Sequence, residues 1–397
     1  MLGTVTTWVR ADEATRLLGV SKPTLYAYVS RGMIERHAAV DGRTSLYARA
    51  DVERLAGRAR SRAPAERPTI DTQVASGVSE LHDSGLLYRG RPAAELARAA
   101  SFEQVAELLW TGTLPDAAPA WRPDRAAHRR LAATLSAADN TDPVGGRMPP
   151  TDRLSLTATL LAGTRAAHDD DPATAARRLL ALAPSALGGP LEGTLASRLT
   201  RAYVRRPGAE LVAAIDRALA LLADHELATS TLAVRLAVSV RTDPYSALAV
   251  GLHTVSGAMH GGAAAHVVAL LADAHTRGAP AAVAEPVGRA HRLSGFGHSI
   301  YRNADPRVAP LMEAVAPLAD RAQAATIDAV AAEAMATLGR HPNIDFALGA
   351  LLFAAGLPAD VPVFAVARIA GWGAHAAEET AERPLRYRGL ARPAGAT

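Results

Sequence analysis

Apolar residues along most of the chain recur at the spacing of helices rather than of strands. From Thr69 onward, segments rich in Ala and Leu are separated by Pro and Gly, and none shows strand-length alternation of apolar and polar residues. Two of the clearest helical faces are the apolar stripes Leu211, Ile215, Leu219, Leu222 and Ile327, Val330, Ala334, Leu338. The pattern predicts an all-α body.

The first fifty residues show a different pattern, that of two short helices close together. Apolar positions predict a first helix over 11–19, which Gly19 ends. A second helix is predicted to be capped by Ser21 and to turn Leu25 and Val29 inward as an i, i+4 pair. Two short helices joined by a tight turn form a helix-turn-helix arrangement.

The residues after these helices predict a hairpin. Asp41-Gly42 is a typical hairpin turn, 43–47 is predicted to form the strand of a wing, and a further helix is predicted from Asp51. The stretches ADEATRLLGVSKPTLYAYVSRGMI and DGRTSLYARADVERLA resemble the winged helix-turn-helix of MerR-type and excisionase-like proteins.

Composition narrows the classes of protein further. The 397 residues are 49% hydrophobic and 21% charged, which excludes a disordered chain, and only 4% are aromatic, which disfavours an all-β fold. The chain has no cysteine, so disulfides, iron–sulfur clusters, thiolate zinc sites and a cysteine nucleophile are excluded.

Positive charge is concentrated at the start of the chain. Residues 1–67 hold twelve Lys/Arg and seven Asp/Glu, whereas the remainder holds 31 and 32. This asymmetry indicates a module that contacts a polyanion, here DNA. The alternative is a module that only docks on the body or on another protein. Residues of the second helix expected to contact DNA are Lys22, Thr24, Ala27 and Arg31.

Two features bear on localisation. The N-terminus lacks the apolar stretch of a signal peptide. The longest segment without Asp, Glu, Lys or Arg is 244–272, but its three histidines and four glycines indicate a buried functional segment rather than a membrane span. We therefore expect a cytoplasmic protein that does not contact membranes.

Four polar islands interrupt the helices of the body, at 224–226, 257–262, 295–307 and 342–345. Together they supply histidines, arginines and a carboxylate in an apolar setting, a combination that suits carbon-acid activation with an anionic partner. The rival interpretation is a metal site. It is disfavoured because no pair of these histidines has the H-x₃-H spacing and no HExxH motif occurs, so no metal is expected.

The body resembles the citrate synthase family over nearly all of residues 70–397. The motifs that carry the resemblance, in the family's order, are GLLYRG (85–90), FEQVAELLWTGTLP (102–115), ADHEL (223–227), GAMHGGA (257–263), GFGHSIYRNADPR (295–307), PNID (342–345) and ERPLRYRG (382–389). The resemblance implies an all-α homodimer with a large helical domain and a smaller closing domain, here roughly 260–350. It also implies that the protein condenses oxaloacetate with acetyl-CoA. Acetyl-CoA is then a substrate, and no cofactor is expected.

The resemblance also implies the catalytic residues. Asp345 matches the base that removes a methyl proton from the thioester. His260 matches the donor that stabilises the resulting enol, and His298 matches the group that polarises and protonates the oxaloacetate carbonyl.

Binding residues follow in the same way. His225, Arg307 and Arg368 match oxaloacetate ligands, and Arg302 matches a contact to a CoA phosphate. Arg383 matches an arginine that the neighbouring subunit supplies. The implied domains are a winged helix-turn-helix at 1–60, a linker at 61–68 and the citrate synthase domain at 69–397.

Three neighbouring positions depart from the family's usual pattern. Ala228 and Ala264 stand where Asn is common, and Ser299 stands where Arg is common, so hydrogen bonds beside the site are lost. Two alternatives stay open: a 2-methylcitrate synthase that uses propionyl-CoA, and a DNA-binding regulator whose body senses metabolites with little turnover.

Overall fold

In the computed structural model the chain divides into two units, Met1–Val74 and Ala75–Thr397, each with its own hydrophobic core. The structure describes residues 7–18, 22–30, 34–38, 44–52, 73–82, 85–141, 147–164, 169–257, 260–290, 293–298, 300–301 and 304–388.

The N-terminal unit combines two helices with a small antiparallel sheet. Its elements are β1 (Trp8–Arg10), α1 (Ala11–Leu18), α2 (Lys22–Ser30), β2 (Arg36–Ala38) and β3 (Ser45–Ala48). The strand order is β1-β3-β2, so β3 is central. The buried core comprises Val9, Ala14, Leu18, Leu25, Ile34, Tyr47 and Val52.

This unit agrees with the expected helices and differs in its strands. The helices α1 and α2 lie where the sequence predicts them, and Leu25 is buried with Val29 packed against the same core. The predicted wing strand at 43–47 is observed at Ser45–Ala48. The strand β1 is not predicted, because three residues are too few to show a periodicity. The turn at 41–42 and the linker at 61–68 lie outside the described residues.

The C-terminal unit begins with a second small sheet that the sequence pattern does not predict. It consists of β4 (Ser79–His82), β5 (Gly85–Tyr88) and β6 (Arg91–Pro92), paired antiparallel in that order. These strands of two to four residues are also too short for a recognisable alternation. The prediction of an all-α body is confirmed as a fold class, and this small sheet is an addition that the sequence pattern does not show.

The helices of this unit account for most of its residues. They are α3 (Ala93–Ala99), α4 (Phe102–Thr111), α5 (Arg125–Thr141), α6 (Pro150–Ala162), α7 (Pro172–Ala186), α8 (Leu195–Arg201), α9 (Ala209–Leu222), α10 (Thr229–Ser239), α11 (Pro244–Val255), α12 (Ala263–Arg277), α13 (Ala279–Ala290), α14 (Val308–Val315), α15 (Arg321–Leu338), α16 (Ile344–Ala354) and α17 (Val363–Ala381).

Helix α17 lies at the centre of the unit. It packs against α4, α7, α9, α10 and α11, and most of its residues are buried. Gly371 allows its closest approach, since a Cβ there would lie 2.3 Å from Oδ1 of Asp224 and 2.6 Å from the Ala223 carbonyl. The loop after α9 therefore rests directly on α17.

The segment 260–354 forms its own set of packed helices. Helix α12 contacts α13, α15 and α16, and α14 contacts both α16 and α9. Among the described helices, none combines the length and apolarity needed to cross a membrane.

Candidate active site

One cavity of about 510 Å³ brings together six residues that the sequence analysis singles out. They are His225, His260, His298, Arg307, Asp345 and Arg368. The six come from six separate segments: the loop after α9, the turn before α12, the loop at 293–298, the start of α14, the first turn of α16, and α17. Side chains this distant in sequence converge because the helices end around a common space.

Asp305 fixes Arg307 in the wall of this cavity. The carboxylate accepts two hydrogen bonds from the guanidinium, at 2.9 and 2.8 Å, and a third from the backbone N–H of Ile344 at 3.0 Å. Burial alone would raise the pKa of Asp305, but the adjacent Arg307 outweighs it and holds that pKa below its usual value. Asp305 thereby ties Arg307 to the start of α16.

Arg368 lies in the cavity wall as a buried cation with free hydrogen-bond donors. The residue is 2% exposed, and its Nε and Nη1 atoms have no partner within the described part of the chain. The guanidinium carbon lies 4.8 Å from the centre of the Phe364 ring. An unpaired buried guanidinium is costly, so an anionic ligand would satisfy it.

Two of the three histidines face each other across the cavity. The rings of His225 and His298 are 5.3 Å apart, and Nε2 of His225 lies 3.0 Å from the Tyr301 hydroxyl. The backbone N–H of Ile300 donates to Nδ1 of His298 at 3.1 Å. In the neutral ring of His298 the proton must therefore sit on Nε2, which can donate.

The third histidine, His260, is held by Ser230. Its Nε2 lies 2.9 Å from the Ser230 hydroxyl, and its ring lies 5.7 Å from that of Phe364. Burial lowers the pKa values of His225, His260 and His298, and neighbouring arginines add to the effect. All three rings are therefore neutral hydrogen-bonding groups at pH 7.

The Asp345 carboxyl group lines the same cavity as the two arginines. Burial raises the pKa of Asp345 to about 6, although Arg307 and Arg368 act in the opposite direction. The side chain of Asn343 accepts the backbone N–H of Asp345 at 3.0 Å and donates to the Gly297 carbonyl at 2.8 Å. Asn343 thus joins Asp345 to the loop that carries His298.

Several residues with a clear part in this geometry are not predicted as site residues by the sequence. They are Ser230, Tyr301, Asp305, Asn343 and Phe364. Asp305 and Tyr301 lie inside the GFGHSIYRNADPR motif and Asn343 inside PNID, so proximity to predicted residues is the available signal. Nothing in the sequence pairs Ser230 with His260, thirty positions away.

Other expected site residues lie outside the cavity or outside the described residues. Arg383 is exposed, in the segment after α17, and does not line the cavity. Arg302 and Ser299 lie outside the described residues. Ala228 lines the cavity, and Ala264 is buried at the start of α12.

The residues expected to contact DNA are only partly described. Lys22 is exposed at the start of α2, and its Nζ lies 2.8 Å from a carboxylate oxygen of Asp12. Thr24 and Ala27 belong to α2, but their side chains are outside the described part, as is the whole of Arg31.

In the part of the chain that is described, no three His, Asp or Glu side chains converge as a metal site requires. The cavity instead offers two buried cations, the carboxylates of Asp345 and Glu226, and three neutral imidazoles. This set can bind a dicarboxylate, remove a weakly acidic proton and stabilise oxyanions.

Comparison with known proteins identifies relatives of the whole C-terminal unit. The family model for the citrate synthase C-terminal domain matches residues 69–394. A citrate synthase from Mycolicibacterium smegmatis is 30% identical over 347 residues, covering 80% of this chain and 90% of that protein. A 2-methylcitrate synthase from Mycobacterium tuberculosis is 30% identical over 350 residues, covering 80% and 86%.

A solved structure has the same fold. It is a ternary complex of citrate synthase from Thermoplasma acidophilum with carboxymethyl coenzyme A and oxaloacetate, with a TM-score of 0.62 and 23% identity, and the match covers 82% of this chain and 94% of that one.

Proposed function

The chain belongs to the citrate synthase family, and on that basis we propose that it condenses oxaloacetate with acetyl-CoA to give citrate and free CoA. The observation that carries this proposal is the pair of buried arginines beside a basic carboxylate. Arg368 has two unpaired donors and Arg307 is held in place by Asp305, so the cavity suits a ligand with two carboxylates.

The reaction begins with proton removal. The Asp345 carboxylate takes a proton from the methyl group of the thioester, and the electron pair of that C–H bond forms the carbon–carbon double bond of an enolate, whose oxygen carries the negative charge. We assign the Ser230 hydroxyl as donor to Nε2 of His260, which leaves the ring proton on Nδ1. That N–H is free to stabilise the developing enolate oxygen.

Carbon–carbon bond formation follows. The enolate carbon attacks the ketone carbon of oxaloacetate, and the electron pair of the C=O π bond moves to the ketone oxygen, which receives a proton from Nε2 of His298. The proton held by Asp345 returns to that nitrogen through solvent, which restores both groups. The backbone bond from Ile300 to Nδ1 supports this assignment, because it leaves Nε2 as the protonated nitrogen. Water then hydrolyses the citryl-CoA thioester and releases CoA.

The choice between acetyl-CoA and propionyl-CoA rests on one methylene group, which a pocket discriminates only weakly. Acetyl-CoA is the proposed substrate, and 2-methylcitrate synthesis is the second candidate because a relative of equal identity carries that name. A thiol reagent that detects free CoA tests both, because the cysteine-free chain contributes no thiol. Oxaloacetate-dependent CoA release that is at least tenfold faster with propionyl-CoA would favour the second candidate, and no release with either thioester would contradict both.

The raised pKa of Asp345 predicts a pH dependence. Because only the ionised carboxylate accepts a proton, kcat/KM for acetyl-CoA should fall about tenfold per pH unit below about pH 6. Initial rates between pH 4.5 and 8 measure this, with circular dichroism at each pH to show that the protein stays folded. A profile that is flat down to pH 5 would exclude Asp345 as the base.

We propose that the protein acts as a homodimer that shares Arg383. Three exposed apolar residues lie in this region. Leu385, two residues after Arg383, is 71% exposed, and Leu236 and Val240, at the end of α10 and directly after it, are 43% and 57% exposed. The backbone N–H of Leu385 bonds to the Ser239 carbonyl, which brings the segment after α17 against the end of α10. A second copy of the chain would cover this apolar surface and receive Arg383.

For the N-terminal unit we propose a winged helix-turn-helix that binds DNA. Its support is the order of α1, α2 and the β2–β3 pair, together with the excess of five positive charges in residues 1–67. Lys22 is exposed at the N-terminus of α2, where phosphate contacts are common. Its ion pair with Asp12 would have to open or be shared with a phosphate.

A variant without residues 1–68 tests whether this unit is an addition to the enzyme. We expect it to stay dimeric and to keep its turnover, while DNA binding disappears. For the full chain, the logarithm of DNA affinity should fall linearly with the logarithm of salt concentration, since counterions are released. An insoluble or inactive variant would instead make the N-terminal unit part of the enzyme's fold.

A further inference from the structure

A line of hydrogen-bonded charged and polar side chains, all but the first of them buried, runs through the body outside the cavity. It begins at the segment 382–388, here called the C-terminal arm, which follows α17 and carries Arg383. Its members are Arg386, Glu379, Arg235, His375 and Asp224. Asp224 directly precedes His225 of the cavity.

Glu379 anchors the arm. Its carboxylate accepts two hydrogen bonds from the Arg386 guanidinium, at 2.8 and 2.5 Å, and one from the Tyr387 hydroxyl at 3.1 Å. Glu379 is fully buried, in the last turn of α17. Paired charge-assisted hydrogen bonds of this kind fix orientation as well as distance.

Arg235 holds Glu379 from the other side. Its guanidinium is fully buried and donates to Glu379 at 3.0 Å and to Nδ1 of His375 at 2.9 Å. Because arginine has no acceptor, Nδ1 must accept, and the ring proton lies on Nε2, which donates to Asp224 at 3.3 Å. The carboxylate that anchors the arm is therefore itself immobilised.

The side chain of Arg383 has no such support of its own. Among the described residues it makes neither a hydrogen bond nor an ion pair, so its position depends on the backbone of the arm. Two bonds tie the backbone of the arm to the body: the Arg241 guanidinium donates to the Glu382 carbonyl at 2.8 Å, and the Leu385 N–H donates to the Ser239 carbonyl at 3.0 Å. Arg386, three residues after Arg383, adds the two bonds of its ion pair with Glu379. The loss of these bonds would let the arm move.

We propose that Glu379 is a positioning residue that holds the C-terminal arm so that Arg383 reaches the oxaloacetate site of the partner subunit. This rests on the proposed sharing of Arg383. The effect of Glu379 is expected on a site in the other chain, which distinguishes the proposal from a purely structural role in its own subunit.

Two substitutions test the two ends of the anchor. Glu379→Gln and Arg386→Gln should each raise KM for oxaloacetate about tenfold, while kcat and KM for acetyl-CoA stay within twofold. Their double variant should be no worse than Glu379→Gln alone, because that substitution already removes the Glu379–Arg386 interaction. Arg386 is partly exposed, so its variant keeps the test valid if the buried substitution impairs folding.

Glu378→Gln is the matched control. Glu378 also contacts Arg235, at 3.0 Å, but its second carboxylate oxygen contacts the backbone N–H of Gly77 at 3.0 Å and the Arg89 guanidinium at 3.5 Å, and it makes no described contact with the arm. This neighbouring change removes the same charge from the same arginine. It should leave KM for oxaloacetate within twofold of the wild type.

Mixed dimers then assign the effect to one chain. In a dimer of an His260→Ala chain with an Arg383→Ala chain, the working cavity belongs to the second chain and its arm to the first. Arg386→Gln added to the first chain should raise KM for oxaloacetate about tenfold. The same change added to the second chain should have no effect on KM.

The outcomes separate the two levels of the proposal. If the reference mixed dimer regains activity but the KM effect follows the chain that supplies the cavity, the anchoring role is wrong and sharing of Arg383 stands. The anchoring role is also wrong if Glu378→Gln raises KM as much as Glu379→Gln does. If the reference mixed dimer regains nothing, sharing itself is wrong, and the anchoring role fails with it.

Discussion

Asp345→Asn should lower turnover by about 10³-fold, within the range that a positioned general base contributes. The amide keeps the shape of the carboxyl group but cannot accept the methyl proton. Oxaloacetate binding, measured by calorimetry without acetyl-CoA, should stay close to that of the wild type. A variant that keeps a tenth or more of wild-type turnover would remove Asp345 from the mechanism.

The same substitution should not destabilise the protein. Since burial raises the pKa of Asp345 to about 6, the ionised form is unfavourable in the folded state at pH 7, and a neutral amide removes that cost. We therefore expect Tm at pH 7 to be equal to that of the wild type or higher. A large fall in Tm would mean that lost activity reflects unfolding.

Asp216→Asn is a matched control for this experiment. Asp216 is another carboxyl group whose pKa burial raises, to about 7, but it lies on α9 outside the cavity and accepts the backbone N–H of Phe102 at 3.2 Å. The amide oxygen can still accept that bond. Turnover of this variant should stay within twofold of the wild type.

Mixing two inactive variants should restore activity if Arg383 serves the neighbouring cavity. His260→Ala removes a cavity residue, and Arg383→Ala removes the arginine that the partner supplies, so each homodimer should be inactive. In a mixed dimer one cavity has both residues and the other has neither. Random pairing makes half of the dimers mixed, so activity should approach about a quarter of the wild type.

A second measurement shows that the regained activity comes from the mixed dimer. Different affinity tags on the two chains allow the mixed dimer to be isolated, and its activity should then be about half that of the wild type. Two inactive homodimers and an inactive, verified mixed dimer would show that Arg383 serves the cavity of its own chain or none.

Much of the site could be predicted from the sequence because its residues lie in short motifs. Five of the six cavity residues lie in the motifs whose order carries the resemblance, and Arg368 lies in VARIAG at 366–371, although the six residues span 144 positions. Their protonation could not be predicted in this way. The tautomer of His298 depends on a single backbone bond from Ile300, which only the loop geometry reveals.

Contacts between helices that are distant along the chain could not be predicted from the sequence, and the reason is physical. Arg235 and Glu379 are separated by 144 positions, and each alone is an ordinary charged residue of an amphipathic helix. Burial makes their pairing obligatory, but burial depends on how α10 and α17 pack. The small sheet β4–β6 escaped prediction for a simpler reason, since its strands have too few residues to show a period.

The spacing of two residues along helix α17 sets the orientation of the cavity relative to the C-terminal arm. Arg368 and Glu379 are eleven residues apart, which is about three turns plus 20° of rotation and about 16 Å of rise. Both side chains therefore project from nearly the same face. Insertion or deletion of one residue between them would rotate one end against the other by about 100°. The number of residues between Arg368 and Glu379 is therefore constrained as strictly as their identity. Active relatives should differ in this number only by about whole helical turns, that is, by three or four residues.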